Sequence, residues 1–455
     1  MAFVFYDVET TGLNTRYDQI LSFAAIKTDD ELNELDRLMC NCRLMPHVVP
    51  HPIALHVNGI TLEAADNPSL PSHYQMMRNV QQTLDAWSPA LFIGYNSISF
   101  DEEVLRHALY LTLHNPYLTS MPGNGRADAL ALVRTIAFLR PGALTVAMRD
   151  DGATSFKLAD ICEANGIDHV GAHSAINDVL ATIALCKKAR DGDDETWSRF
   201  LRSSTKSAVR ELLEGEDAIL HIRFSGNTGV PVVIVRVAQD PSDANCQLCL
   251  PIDFPASRFM AMSEVDAGAL LFDREQGLVR IKLNKGPVLC PLYEAPETLL
   301  GGRSEAQLLT DATILRETLG LAAFVLQVLH SQSPPRPVPT ELEDMLYKRL
   351  PDRQDDHRLR QFHAADWEER PVLSRAFSDP RNRALARRLT YLERPDLCDP
   401  DDIDRLHAGL RRRLVTTEAE SPWRTVAAAL QALQELPIDV QDGARSAYTR
   451  KYNPG

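Results

Sequence analysis

Asp7 and Glu9 stand two residues apart in Asp7-Val8-Glu9-Thr10-Thr11-Gly12-Leu13, directly after the apolar run Phe3-Val4-Phe5-Tyr6. A run of that composition has strand character. Side chains on a strand alternate faces, so the two carboxylates point the same way. Acids held side by side away from water repel each other unless a cation lies between them. Ligation by oxygen alone suits Mg²⁺ or Mn²⁺. An isolated Asp-x-Glu is more often a charged strand end, so further acids must join the pair before it signifies chemistry.

Two later stretches supply them. Phe92-Ile-Gly-Tyr-Asn-Ser-Ile-Ser-Phe-Asp101 runs from a strand into a helix. Ser99 with Glu102 three residues on reads as a capping box, which puts Asp101 in the first helical turn. The helix dipole alone would favour an acid there. His173-Ser-Ala-Ile-Asn-Asp178 opens another helix, whose apolar face includes Val179, Ile183 and Cys186. Asp178, at the edge of that face, needs a partner if it is buried, and a metal would be one. His173 lies near the helix start and can lean over the same place.

These residues need elements to hold them. The patterning predicts strands over 3–8, 20–28, 34–44 and 90–94, and helices over 75–87, 100–112, 128–140, 156–165 and 173–189. Three early strands close in sequence imply an antiparallel meander, and the fourth strand with the later helices implies α/β packing over it. From about 200 the character changes. Runs at 218–224, 230–237, 246–250 and 278–283 read as short strands of a small barrel or sandwich, with helix signals at 306–330. Ser331-Gln-Ser-Pro-Pro-Arg-Pro-Val-Pro339 is a linker. The stretch 340–450 has helical spacing throughout.

Length and composition narrow the class. The chain of 455 residues is long enough for about three domains. Hydrophobic content of 44% and charged content of 24% are ordinary for a globular protein. No apolar run reaches about 18 residues, so no membrane span is expected. The first residues lack the basic start, apolar run and cleavage site of a signal peptide, which leads us to expect a cytoplasmic protein. The eight cysteines are then expected to be free thiols. Cys246-Gln-Leu-Cys249 is a lone CxxC, whereas zinc needs a second pair. A net charge of −14 argues against a general nucleic-acid coat protein. It leaves a nuclease open, because metal-binding acids belong to such a site and a basic groove can exist within an acidic total.

In order, the chain has Asp-x-Glu on a first strand, Phe-Asp at a helix start, and His-x4-Asp opening a later helix. This pattern resembles the DEDD family of 3′→5′ exonucleases, which are built on an RNase H-like fold. One subgroup carries tyrosine four residues before the last aspartate and the other carries histidine five before it. Ser174 and His173 occupy those positions here, which indicates the histidine subgroup. The resemblance implies phosphodiester hydrolysis with two Mg²⁺ ions, Mn²⁺ being a plausible substitute, held roughly 3.5–4 Å apart. Asp7 would bridge them, Glu9 and Asp178 would complete the coordination, and Asp101 would hold the second ion directly or through water. His173 would be the general base.

Gly94–Val104, Asn115-Pro-Tyr117, Ser155-Phe-Lys-Leu158 and Ala164-Asn-Gly-Ile167 together look like bacterial exonuclease I. That resemblance extends along essentially the whole chain. It implies an RNase H-like exonuclease domain over 1–192 (a mixed sheet with helices), an SH3-like β-barrel domain over 193–332 and an all-helical domain over 340–455. The implied activity is release of 5′-mononucleotides from the 3′ end of single-stranded DNA, in repair and recombination. By position, Glu9, Leu13, Arg106, Tyr117, Arg134, Lys157 and Lys206 would touch the strand. Lys157 stands where the family has an arginine, which keeps the charge and loses the bidentate fork. The implied partner besides DNA is the acidic C-terminal tail of single-strand-binding protein, and a monomer is expected.

Arg381, Arg383, Arg387, Arg388, Arg411, Arg412 and Arg413 would form a wall of the DNA channel, a pocket for that tail, or a solvated helix face. Two other readings compete: a related nuclease acting on RNA, and a catalytically silent nucleic-acid-binding protein on the same scaffold. Loss of a metal carboxylate would mark the second, and all four are present.

Overall fold

The computed structural model describes residues 2–149, 152, 154–169, 171, 174–332, 338–348, 353–416 and 421–452. The chain forms two compact units. The first comprises Met1–Asn124, Val170–Leu180 and Val338–Gly455, and the second Gly125–His169 and Ala181–Pro337.

In the first unit, β1 (Ala2–Thr10), β2 (Ile20–Thr28) and β3 (Glu34–Asn41) form the antiparallel meander, and β4 (Ala90–Gly94) lies parallel to β1. The order is β3-β2-β1-β4. The period of two then sorts the side chains of β1. Val4, Tyr6 and Val8 are buried in a core with Met76, Met77, Val80 and Leu84 of the helix His73–Trp87, and with Val104, Leu105 and Ala108 of the helix Asp101–Leu111. Asp7 and Glu9 fall on the opposite face.

Beyond the Pro-rich stretch, of which 333–337 lie outside the described residues, the elements are helical: Arg353–Ala364, Arg370–Ser374, Pro380–Glu393, Pro400–Val415, Val426–Ala432 and Ile438–Tyr452, with short 3-10 turns. They pack on the meander and on the helices His73–Trp87 and Asp101–Leu111 of the same unit. Leu21, Leu44 and Val48 share a core with Ala429, Leu433 and Tyr448. Tyr74 and Tyr110 share another with Phe362, Phe377 and Leu389.

The second unit has an antiparallel sheet of Ile219–Ser225, Thr228–Gln239, Cys246–Pro251, Val279–Lys282 and Leu289–Pro291. The helices Glu305–Glu317 and Leu321–Ser331 bury Leu308, Ala312, Val325 and Val328 in its core. The eight cysteines are free. Cys246 and Cys249 are both buried in a strand, and burial pushes the Cys249 thiol up to about 12. Among the described residues, no single helix is long and apolar enough to cross a membrane.

One buried acid ties the C-terminal helices together. Asp355 accepts hydrogen bonds from the Ser378 and Asp379 N–H groups at 2.8 and 2.9 Å, from Asn382 at 2.9 Å and from Arg358 at 3.0 Å. Burial alone would raise its carboxyl, but these donors outweigh burial and hold it at about 2. A carboxyl whose folded value lies below its unfolded one stabilises the fold fully above the unfolded value and loses that contribution as the pH falls through the folded value. The contribution is worth about 2 kcal/mol at neutral pH. Asp355→Asn is therefore expected to lower the urea midpoint at pH 7, with the gap to wild type closing between about pH 4 and pH 2. An unchanged gap across that window would show that Asp355 does not titrate with folding.

Candidate active site

Asp7 and Glu9 come to the site on β1, and its backbone explains the local geometry. The β1–β2 register slips between Glu9, opposite Ser22, and Thr10, opposite Ile20. Such a bulge ends the regular ladder and re-aims the side chains beside it. On the other edge, the pairing with β4 reaches only Phe5. Beyond it, the Val8 N–H is met by Asp101 Oδ1 at 3.3 Å. β4 closes with Gly94, where an added Cβ would lie 2.5 Å from Ser97 Cβ and 2.9 Å from the Tyr6 carbonyl oxygen. Only glycine allows the turn to cross β1 this closely before the helix of Asp101 begins.

Asp178 stands in the first turn of the helix Ala175–Gly192, whose first N–H donors, on Asn177 and Asp178, reach the Ser174 carbonyl. One carboxylate oxygen from each of Asp7, Glu9 and Asp178 lies within 4.8 Å of the others, and all three residues are half-buried. Among the described residues, this is the one cluster of three or more His, Cys, Asp or Glu side chains able to hold a metal. Asp101, itself buried, is not one of the three, and its oxygen is turned to the Val8 N–H. His173 lies outside the described residues.

The electrostatics fit a cation. Burial, then the charges of Asp101, Asp178 and Glu9, raises the Asp7 carboxyl well above its usual range. Burial, then Asp178 and Asp101, raises Glu9 to about 8. Without a cation these acids cannot all ionise near neutrality. A divalent ion among them removes the cause, and an all-oxygen donor set is the one hard cations prefer.

The helix of Asp101 starts differently from the expectation. Its N-cap is Phe100, which makes no side-chain cap bond, and Ser99 Oγ turns back to Asn96. Glu102 is no capping partner. It is 1% exposed and its carboxylate accepts from Tyr6 Oη at 3.1 Å, Arg106 Nη2 at 2.7 Å and Thr119 Oγ1 at 2.6 Å. Three donors inside the core hold this acid more firmly than one exposed N–H could. Asp101 keeps its first-turn position.

The expected strand-contacting residues divide between the units. In the first, Leu13 is 84% exposed. Arg106 is buried against Glu102, with its guanidinium 5.3 Å from the ring centre of half-buried Tyr117. In the second, Arg134 lies over the Phe224 ring at 4.3 Å and donates to the Gly226 carbonyl. Lys157 and Lys206 are exposed at the starts of the helices Leu158–Ala164 and Lys206–Gly215. Much of the arginine cluster is paired. Arg388 and Arg413 bind Glu343, Arg381 binds Asp379, Arg387 binds Asp402 and Arg412 binds Glu341.

Residues 4–186 match the family model described as exonuclease (RNase T). The exodeoxyribonuclease I of Haemophilus influenzae is 30% identical over 314 residues, an alignment that takes in 65% of this chain and 66% of that protein. The chain thus spans a little under two thirds of that relative's length. Exonuclease I from Methylocaldum szegediense has the same fold, with a TM-score of 0.88 at 23% identity over 99% of this chain and 100% of that one. So does E. coli exonuclease I in complex with a dT13 oligonucleotide, with a TM-score of 0.87 at 22% identity over 100% and 99% of the two chains. With three carboxylates gathered beside the sheet that residues 4–186 build, that segment is similar to the exonuclease family, and the chain resembles proteins named exodeoxyribonuclease I over about two thirds of its length.

Proposed function

We propose that this chain is a 3′→5′ exodeoxyribonuclease that hydrolyses single-stranded DNA to 5′-mononucleotides. The observation that carries this reading is the convergence of Asp7, Glu9 and Asp178 within 4.8 Å on the matched domain. The exonuclease domain of this family is metal-dependent. Mg²⁺ is the proposed ion. Asp7, Glu9 and Asp178 would hold it, with Asp101 completing the set. A divalent ion held there would supply charge stabilisation for the attacking water and for the leaving oxygen. The chain's own residues do the rest. The carboxylates fix the cation relative to β1, and Asp101 braces the Val8 amide between the two β1 acids. His173, five residues before Asp178 in sequence, is the proposed base, its imidazole nitrogen taking a proton from water. Leu13, Arg106, Tyr117, Arg134, Lys157 and Lys206 are the proposed contacts to the strand, with Glu9 serving both ion and terminal nucleotide.

We also read the chain as three domains, 1–192, 193–332 and 340–455, the middle one SH3-like. The succession of α/β elements, antiparallel strands and helices supports this division. The proposed partners are single-stranded DNA and the acidic tail of single-strand-binding protein. The proposed setting is the cytoplasm, in repair and recombination.

One assay tests the activity. Purified protein with Mg²⁺ is offered single-stranded DNA, duplex DNA and RNA, each labelled at one end. Loss of the 3′ label first, with mononucleotides released from single-stranded DNA, is the expected result. Preference for RNA would move the chain to the exoribonuclease reading, and cleavage of none would sink both.

A further inference from the structure

The loop between β1 and β2 begins two residues after Glu9 and carries Leu13, an apolar side chain left almost wholly in water. Such a side chain on a loose loop would be unremarkable, but this loop is locked from within. Asp18 accepts from Thr11 Oγ1 and from the Asn14 N–H, both at 2.8 Å. A Cβ at Gly12 would lie 2.5 Å from Asp18 Oδ2, so the turn closes directly onto that carboxylate.

It is also tied to segments far along the chain. Arg16 Nη1 donates to Asp344 Oδ1 at 2.8 Å, and Tyr17 Oη donates to Asp344 Oδ2 at 2.6 Å. Asn14 Nδ2 donates to the Pro422 carbonyl at 2.9 Å. The Tyr17 and Trp423 rings are 6.0 Å apart, and the Arg413 guanidinium lies over both, at 5.9 and 5.0 Å. Burial and the Asp344 carboxylate keep the Tyr17 phenol protonated, so it remains a donor at any working pH.

A rigid exposed leucine beside a carboxylate cluster is a fixed apolar surface, and rigidity of that kind lowers the ordering cost of gripping a flat ring. We infer that Asp344 and Trp423 are positioning residues, which brace the Leu13 loop from the C-terminal helical segment and so set how firmly the end of the strand is held. This rests on the nuclease reading above. The brace acts on the loop and not on the acids, so it governs the Michaelis constant and leaves ion binding alone.

The test uses the full chain, a single-stranded oligodeoxynucleotide and Mn²⁺. Asp344→Ala and Trp423→Ala are each expected to raise KM by about tenfold with kcat within about twofold, because an unbraced loop must be ordered when the strand binds. Hydrogen exchange over residues 11–19 should quicken in both. Trp423→Phe, which keeps a ring against Tyr17, should restore KM, and Mn²⁺ titrations should match wild type throughout. Should Trp423→Ala fail to fold, Tyr17→Phe removes only the bond to Asp344 and reads the same contact. Unchanged exchange in the folded variants overturns the brace. Faster exchange with unchanged KM overturns its role in gripping the strand. A wild-type chain that cleaves nothing removes the nuclease reading and the gripping role with it, while exchange still decides whether the brace exists.

Discussion

Asp178→Asn and Asp7→Asn are each expected to lower kcat on single-stranded DNA by about 10³-fold or more, leaving the affinity for DNA at least as high as in wild type. Each substitution keeps the side chain's shape and removes one charged ligand from a group whose oxygens lie within 4.8 Å. Charge stabilisation by a bound ion is worth several kcal/mol, and about 1.4 kcal/mol is a factor of ten in rate. DNA is an anion, so deleting an acid from the surface it approaches does not weaken binding. The metal-free variants carry a further signature. In wild type, burial and mutual repulsion already raise Asp7 and Glu9. Removing a like charge relieves that conflict, so the variants should melt higher than wild type in a chelator and gain less from added Mn²⁺. Cleavage that survives in both variants would defeat the site assignment. Loss of cleavage with Mn²⁺ binding unchanged would show that the acids act on something other than a cation.

How much of this could be read from the chain depends on how local each cause is. The pairing of Asp7 with Glu9 on one face follows from the period of a strand, and the four strands and five helices expected in the first 190 residues form close to the expected bounds, whereas the short helices Pro52–Val57 and Leu62–Ala65 and the short strands Gly125–Asp128, Ala147–Met148 and Thr154–Ser155 carry too few residues to show a period. Asp101 was placed correctly in a first helical turn, but through a capping box that does not form. Glu102 has partners 96 residues before it and 17 after it, and no local rule separates an acid that caps from one that is buried. The strands after 218 were legible from composition, whereas whether they close on one another depends on pairings between segments far apart in sequence. The arginines of the C-terminal region looked the same in sequence whether they faced solvent, DNA or each other. Arg388 and Arg413 lie 45 and 70 residues from the acid that neutralises them.

That acid is the site of the largest expected loss of stability. Glu343 is 2% exposed and accepts from Arg388 Nη1 at 2.7 Å and from Arg413 Nη1 and Nη2 at 2.8 and 2.9 Å. Burial alone would raise its carboxyl, but the two guanidinium groups outweigh burial and hold it far below the usual range. Glu343→Gln leaves two buried cations facing each other across a neutral amide. Breaking a buried ion pair by removing one partner costs about 3–5 kcal/mol, because the remaining charge stays desolvated. For a unit of this size the midpoint of thermal unfolding should fall on the order of 10 °C.

The sign with pH follows from the lowered carboxyl. The contribution of Glu343 is complete above its unfolded value and fades as the pH falls below it, so variant and wild type should converge in acid. A second substitution separates charge from packing. Replacing the trio together, Glu343→Leu with Arg388→Met and Arg413→Met, removes every desolvated charge, and stability should return to within about 1–2 kcal/mol of wild type. The same triple variant loses the Arg413 guanidinium from the Tyr17 and Trp423 rings. It should therefore fold well and still show fast exchange over residues 11–19. A Glu343→Gln chain that melts with wild type would mean that the two arginines find water or another acceptor, and that the C-terminal helices are held by their apolar cores alone.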